Sequence, residues 1–185
     1  AESDNRLLRI LSVSYIQVFR AVPQLALLYL IFFGAPVLSH YLLIPPVWTA
    51  VISLTIGESA YTGAIYQAAI RSVRKGQWEA GFSVGLSRGT VYRRIVLPQA
   101  VLPSIGPTVN MLMYTVKGTA LASFITVNEM TARANSMIVT YNRPLQVFTI
   151  LMLMYVILTV PLGYLGRFFE RKYSSSLGGF ARMGQ

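Results

Sequence analysis

The chain has 185 residues, 54% of them hydrophobic and 12% charged, with a formal net charge of +10 and no cysteine. A charged fraction about half that of a soluble domain, together with a mean hydropathy of +0.54, excludes an ordinary water-soluble globule, and the lack of Cys excludes a disulfide framework or thiolate metal site. The basic excess is not clustered with interleaved aromatics as a nucleic-acid surface requires, so the expected surroundings are a lipid bilayer and not nucleic acid.

Taken in chain order, the apolar blocks predict an all-α polytopic membrane protein. Between Ala21 and Gly57 there is no Asp, Glu, Lys or Arg, yet Gly34, Pro36, Pro45 and Pro46 interrupt the run where a helix has to end. Two spans are therefore expected, the first over about 8–33 and bent near Pro23, the second over about 46–67 with Trp48 at interfacial depth. The segment 71–103 is too long and too mixed in character for a simple connection. Within it, Gln77 to Val84 suits a short helix with Trp78 and Phe82 one turn apart. Gly85 suits a left-handed stop, and Ser87 suits the cap of a second helix to Leu97. Pro98 and Pro103 are expected to keep that helix from running into the next span.

A third span is expected over 107–127, with Lys117 as its only charge, and a fourth over 147–167, which has no charge before its final residue, Arg167. Either stretch is long enough to cross a hydrocarbon core of about 30 Å. Between them, 128–146 reads as a loop carrying Glu129, Arg133 and Arg143. Residues 1–172 form one membrane domain, and 173–185, rich in Ser and Gly, read as a flexible tail. Four alternating spans put Arg6, Arg9, Arg20, Arg71, Arg74, Lys75, Arg88, Arg93, Arg94, Arg167, Arg171, Lys172 and Arg182 on one side, 13 of the 16 basic residues. The positive-inside rule makes that side the cytoplasm, with both chain ends and the 71–103 loop in it.

Glu79, Ala80, Gly81, then Gly85, then Ile95, Leu97 and Pro98 match the spacing of the EAA loop, and here the chain resembles the permease subunits of ATP-binding cassette importers. KGQWEA, GLSR, LPQA, VFRAVPQLALLYLIFFGAP and KGTALASFI resemble the polar amino acid branch. Gly81 stands where the motif has Ala, and Gly118 where an Asp commonly follows the lysine. The resemblance implies five spans, the first lying before Ala1. It also implies a bacterial inner membrane location, and it makes 77–84 the coupling helix, with Trp78, Glu79, Ala80, Gly81, Phe82, Gly85, Ile95, Leu97 and Pro98 meeting a separate ATPase. Two ATP-binding subunits, a second permease subunit and an extracytoplasmic solute-binding protein are the implied partners. Glu129, Arg133 and Arg143 are the residues expected to face the binding protein. ATP and Mg would sit on the partner ATPase, no cofactor on this chain, since it has no GxxxxGK[ST] loop.

Glu58 and Lys117 fall inside expected spans, where an ionisable group costs at least about 2.5 kcal/mol unless paired or wetted. They either hold each other or form a path in which Lys117 attracts a substrate carboxylate and Glu58 an amino group. Tyr61 and Asn110 are further candidates for that path. Arg20 reads as a snorkelling residue at a span end. An enzyme is disfavoured by one His, no Cys and six acids without a nucleophile and base in one place. A channel or scaffold remains the alternative, distinguished by having no need of a coupling loop.

Overall fold

The computed structural model describes residues 5–182, with the side chain at position 40 and those from 173 onward left undescribed. The described residues form helices and connecting turns with no strand: α1 Arg6–Ala21, α2 Gln24–Leu38, α3 Pro46–Arg71, α4 Lys75–Ser83, α5 Arg88–Ile125, α6 Met130–Tyr141 and α7 Pro144–Arg182. Among them α5 and α7 combine the length and mean hydropathy of a membrane span, at 1.3 and 2.2, and the most apolar stretch of α7 contributes no buried residue. The bent pair α1 and α2 makes a third candidate, while α3, long enough at 26 residues, is too polar to meet the same measure. Four spans were expected from the sequence.

The first expected span is broken more sharply than a bend. Val22 and Pro23 are extended, with φ/ψ of −79°/128° and −60°/131°, and α2 leaves α1 at 102°. Proline disfavours the helical region at the residue before it and has no N–H to continue the ladder. Helix α2 then folds back along α3, whose facing residues are small: Thr49, Ser53, Gly57 and Ala60 are all buried. The Gln24 amide fills the notch at Gly57 and donates to Ser53 Oγ at 3.0 Å. Small residues that let backbones approach are how helices associate in lipid, where burial of apolar surface gives no drive. Tyr15 in turn ties α1 to α3 through Ser59 Oγ at 2.6 Å and the Ile56 carbonyl at 2.9 Å.

Pro36, Pro98 and Pro103, expected to end helices, do not. Helix α2 continues through Gly34 and Pro36, and α5 continues through Pro98, Pro103 and Pro107. In both cases a π segment lies just ahead, Leu30–Gly34 before Pro36 and Tyr92–Val96 before Pro98. The N–H of Leu97 reaches back to the Tyr92 carbonyl. The wider turn relieves the clash of a proline ring with the preceding carbonyls, so the chain stays helical. Helix α5 is thereby one 38-residue rod, about 57 Å long at 1.5 Å per residue.

Helices α5 and α7 pack antiparallel in a fixed register. Glu170 rests on Gly106, Val109 on Gly166 and Met113 on Gly163. Between them runs the expected loop 128–146, which holds helix α6. Glu129 is its N-cap, accepting from the backbone N–H groups of Thr131 at 2.8 Å and Ala132 at 2.7 Å, so its carboxylate is engaged within the chain, while Arg133 and Arg143 are exposed. Helix α7 extends to Arg182, past the boundary at Lys172 where a tail was expected. Propagating an established helix adds one bond per residue fixed, which carries it into a segment of weak helix formers. Residues 183–185 lie outside the described part.

Candidate functional site: a lever and a cleft

The 71–103 segment folds into a compact knob. Helix α4 ends at Gly85 in the left-handed conformation, φ 77°. The Gly85 N–H donates to the Phe82 carbonyl at 2.9 Å and the Leu86 N–H to the Gly81 carbonyl at 3.2 Å, a Schellman closure with Leu86 tucked into the core beneath. Ser87 caps α5 through the Thr90 N–H. Under α4 lies a buried cluster of Ala69, Val73, Val91, Val96 and Ala100, with Trp78, Leu86, Tyr92 and Ile95 packed around it. The knob is thus joined both to the end of α3 and to the base of α5.

This packing sorts the expected coupling residues into two sets. Glu79, Ala80 and Phe82 face outward, as do Leu97 and Pro98 at the start of the span. Trp78, Gly81 and Ile95 face inward. Trp78, expected as an anchor for a partner, is half-buried and packs on Tyr92 with ring centroids 6.3 Å apart. It lies one turn before Gly81, on the side of α4 held against its own chain. A Cβ on Gly81 would come within 2.7 Å of Val91 Cγ2 and 3.1 Å of Ile95 Cδ1, which explains why Gly replaces the motif's Ala here. Gly81→Ala is expected to cost about 1–3 kcal/mol in the stability of the knob. A Val91→Ala partner should recover most of that loss in a double-mutant cycle read by thermal inactivation. One contact escaped the sequence reading: Gln99 Nε2 donates to Gln77 Oε1 at 3.1 Å and to the Ile95 carbonyl at 3.0 Å, bracing α4 against α5.

Further along α5 a cleft of about 840 Å³ opens between α3 and α5, bounded by Tyr61, Ala68, Ser72, Pro107, Asn110 and Tyr114 among others. Its far end meets a chamber of about 200 Å³ under the α1–α2 elbow, lined by Arg20, Pro23, Gln24, Glu58, Tyr61 and Tyr114. Arg20, Tyr61 and Tyr114 belong to both spaces. Of the path residues expected from sequence, Glu58 lines the chamber, Asn110 the cleft and Tyr61 both. Lys117 does not; it is exposed one turn beyond Tyr114, and it forms no ion pair with Glu58. The Glu58 carboxylate instead accepts from Thr115 Oγ1 on α5. Its Oε1 has no partner among the described residues and lies 3.6 Å from where a Cβ on Gly118 would be.

The whole chain up to residue 175 matches the model of the binding-protein-dependent transport system inner membrane components. The chain belongs to that family. It is 34% identical over 163 residues to the L-cystine transport system permease protein TcyL of Bacillus subtilis (strain 168), covering 85% of this chain and 68% of TcyL. It is 32% identical over 158 residues to the glutamine transport system permease protein GlnP of Escherichia coli (strain K12), covering 85% of this chain and 72% of GlnP. A crystal structure of an amino acid ABC transporter with histidines superposes with a TM-score of 0.84 at 29% identity, over 92% of this chain and 78% of that one. The MetNI methionine ABC transporter in an inward-facing conformation shares the fold, with a TM-score of 0.74 at 18% identity over 93% and 78% of the two chains. The chain is a membrane permease subunit of a binding-protein-dependent transport system, and its family is one of transport proteins rather than enzymes.

Proposed function

We propose that this permease subunit forms the translocation path for polar amino acids and couples it to ATP hydrolysis on a separate subunit. The observation that carries the reading is the unbroken helix α5, whose first turns pack under α4 and whose later turns line the cleft. A displacement of α4 by a nucleotide-driven motor would pass along α5 to the cleft as a rigid-body motion. Glu79, Ala80 and Phe82 are the residues of α4 free to dock, and Gly85, Leu97, Pro98, Trp78, Gly81 and Ile95 give the lever its shape and stiffness.

Two ATP-binding subunits carrying ATP and Mg, a second permease subunit and an extracytoplasmic binding protein complete the assembly. The second permease would close over the exposed face of α5 and bring Lys117 onto the path. The charge pattern supports a cytoplasmic C-terminus and a cytoplasmic α4, so the cleft would open inward. The polar amino acid cargo is supported by what TcyL and GlnP are named for and by a chamber lined by both a guanidinium and a carboxylate. Reconstituted in liposomes with its ATPase and binding protein, the permease is expected to accumulate a radiolabelled polar amino acid only when ATP is supplied on the α4 side. Equal flux without ATP would make the chain a channel and sink the proposal.

A further inference from the structure

Arg20 closes α1, where a cation at the helix C-terminus is favourable, and its backbone carbonyl accepts from Tyr61 Oη at 3.1 Å. Its guanidinium lies over the Tyr61 ring, 5.5 Å from the centroid. No carboxylate or other acceptor among the described residues takes its five N–H donors. The group is exposed on the wall shared by the cleft and the chamber, where its donors can reach a ligand in either space. The cation–π contact with Tyr61 holds the guanidinium at the shared wall and leaves its N–H fork for a bidentate partner.

We infer that Arg20 is the carboxylate-holding residue of the chamber, the role that the sequence suggested for Lys117. This rests on the reading of the chain as an amino acid permease and names the group in it that recognises the cargo's α-carboxylate. Glu58 lines the same chamber from α3 and offers the opposite pole for the ammonium. The Pro23 break is what brings the two together: α1 ends at the cleft because the chain turns by 102° there, so the end of one helix faces the middle of another. Tyr61 is a positioning residue, acting through the guanidinium it supports.

The test is direct binding to the purified permease–ATPase complex, measured with two matched pairs: L-glutamine against 4-aminobutanamide, and L-histidine against histamine. The members of each pair differ by the α-carboxylate alone. The wild type is expected to prefer the amino acid of at least one pair about tenfold or more, and Arg20→Met to weaken that amino acid about 10- to 100-fold while leaving its amine within about twofold. Arg20→Lys, which keeps the charge and loses the fork, is expected to fall between them. Parallel loss of amino acid and amine in Arg20→Met would assign Arg20 a structural role and overturn the inference. So would no loss at all, or a wild type that binds neither pair or binds the amines equally well. ATP-driven uptake, measured separately with the binding protein present, reports on the permease reading itself, so the two fail in different assays.

Discussion

Glu79→Lys is expected to leave the permease folded and inserted while reducing solute-stimulated ATPase activity and uptake by about thirtyfold or more. The substitution is clean because Glu79 is exposed on α4, and outside the helix's own backbone ladder its contact is through its backbone carbonyl, which accepts from Ser83 Oγ at 2.9 Å. Nothing in the knob rests on the carboxylate. Its value lies in what docks against it: a charge reversal in a desolvated interface costs about 2–5 kcal/mol, and each 1.4 kcal/mol is tenfold in binding. Glu79→Gln should lose less, since the amide still offers an acceptor. Reconstituted ATPase assays with and without solute check this, alongside thermal inactivation to confirm the fold. Normal solute-stimulated hydrolysis in Glu79→Lys would remove the residue from the coupling contact.

Gly166→Leu is expected to disrupt the membrane domain, and Gly166→Ala to cost about 1–3 kcal/mol, the usual range for overpacking. A Cβ at Gly166 would lie 2.6 Å from Val109 Cγ1 and 2.9 Å from Val109 Cβ. Valine is held at one χ1 rotamer in a helix and cannot swing aside, so the helices must part. Gly163 provides the control. A Cβ there meets the Met113 sulfur at 3.4 Å, and methionine is flexible enough to yield, so Gly163→Ala should be nearly neutral. Detergent-resistant thermal unfolding of the two variants decides it. Equal stability would mean that the antiparallel register of α5 and α7 is not the one described.

What the sequence made legible was local. The charge-free runs marked the apolar spans, Gly85 marked a left-handed stop and Ser87 a cap, each because the residue's own chemistry dictates the conformation. Less was legible where a neighbour decides. Pro98 and Pro103 read as breaks because a proline removes a hydrogen bond, but the helix runs on through both; at Pro98 a preceding π segment absorbs the conflict, and nothing in YRRIV signals one. Trp78 read as a partner's anchor because its direction depends on how Val91 and Ile95 seat Gly81. Arg20 read as a lipid-facing end residue because only the 102° turn after it delivers it to the cleft. In the same way, Glu129 read as an exposed loop charge until α6 gave it two N–H groups to cap.

The π segment at Tyr92–Val96 also sets the angular phase between the two ends of α5. A widened turn accommodates one extra residue, and one residue corresponds to about 100° of rotation in an α-helix. Were Pro98 replaced and that turn to tighten into regular α geometry, Asn110 and Tyr114 would swing by roughly that angle about the axis while Val91 stayed seated beneath Gly81. The proline therefore works as an indexing pin, keeping the cleft-lining side chains clocked to those seated beneath α4.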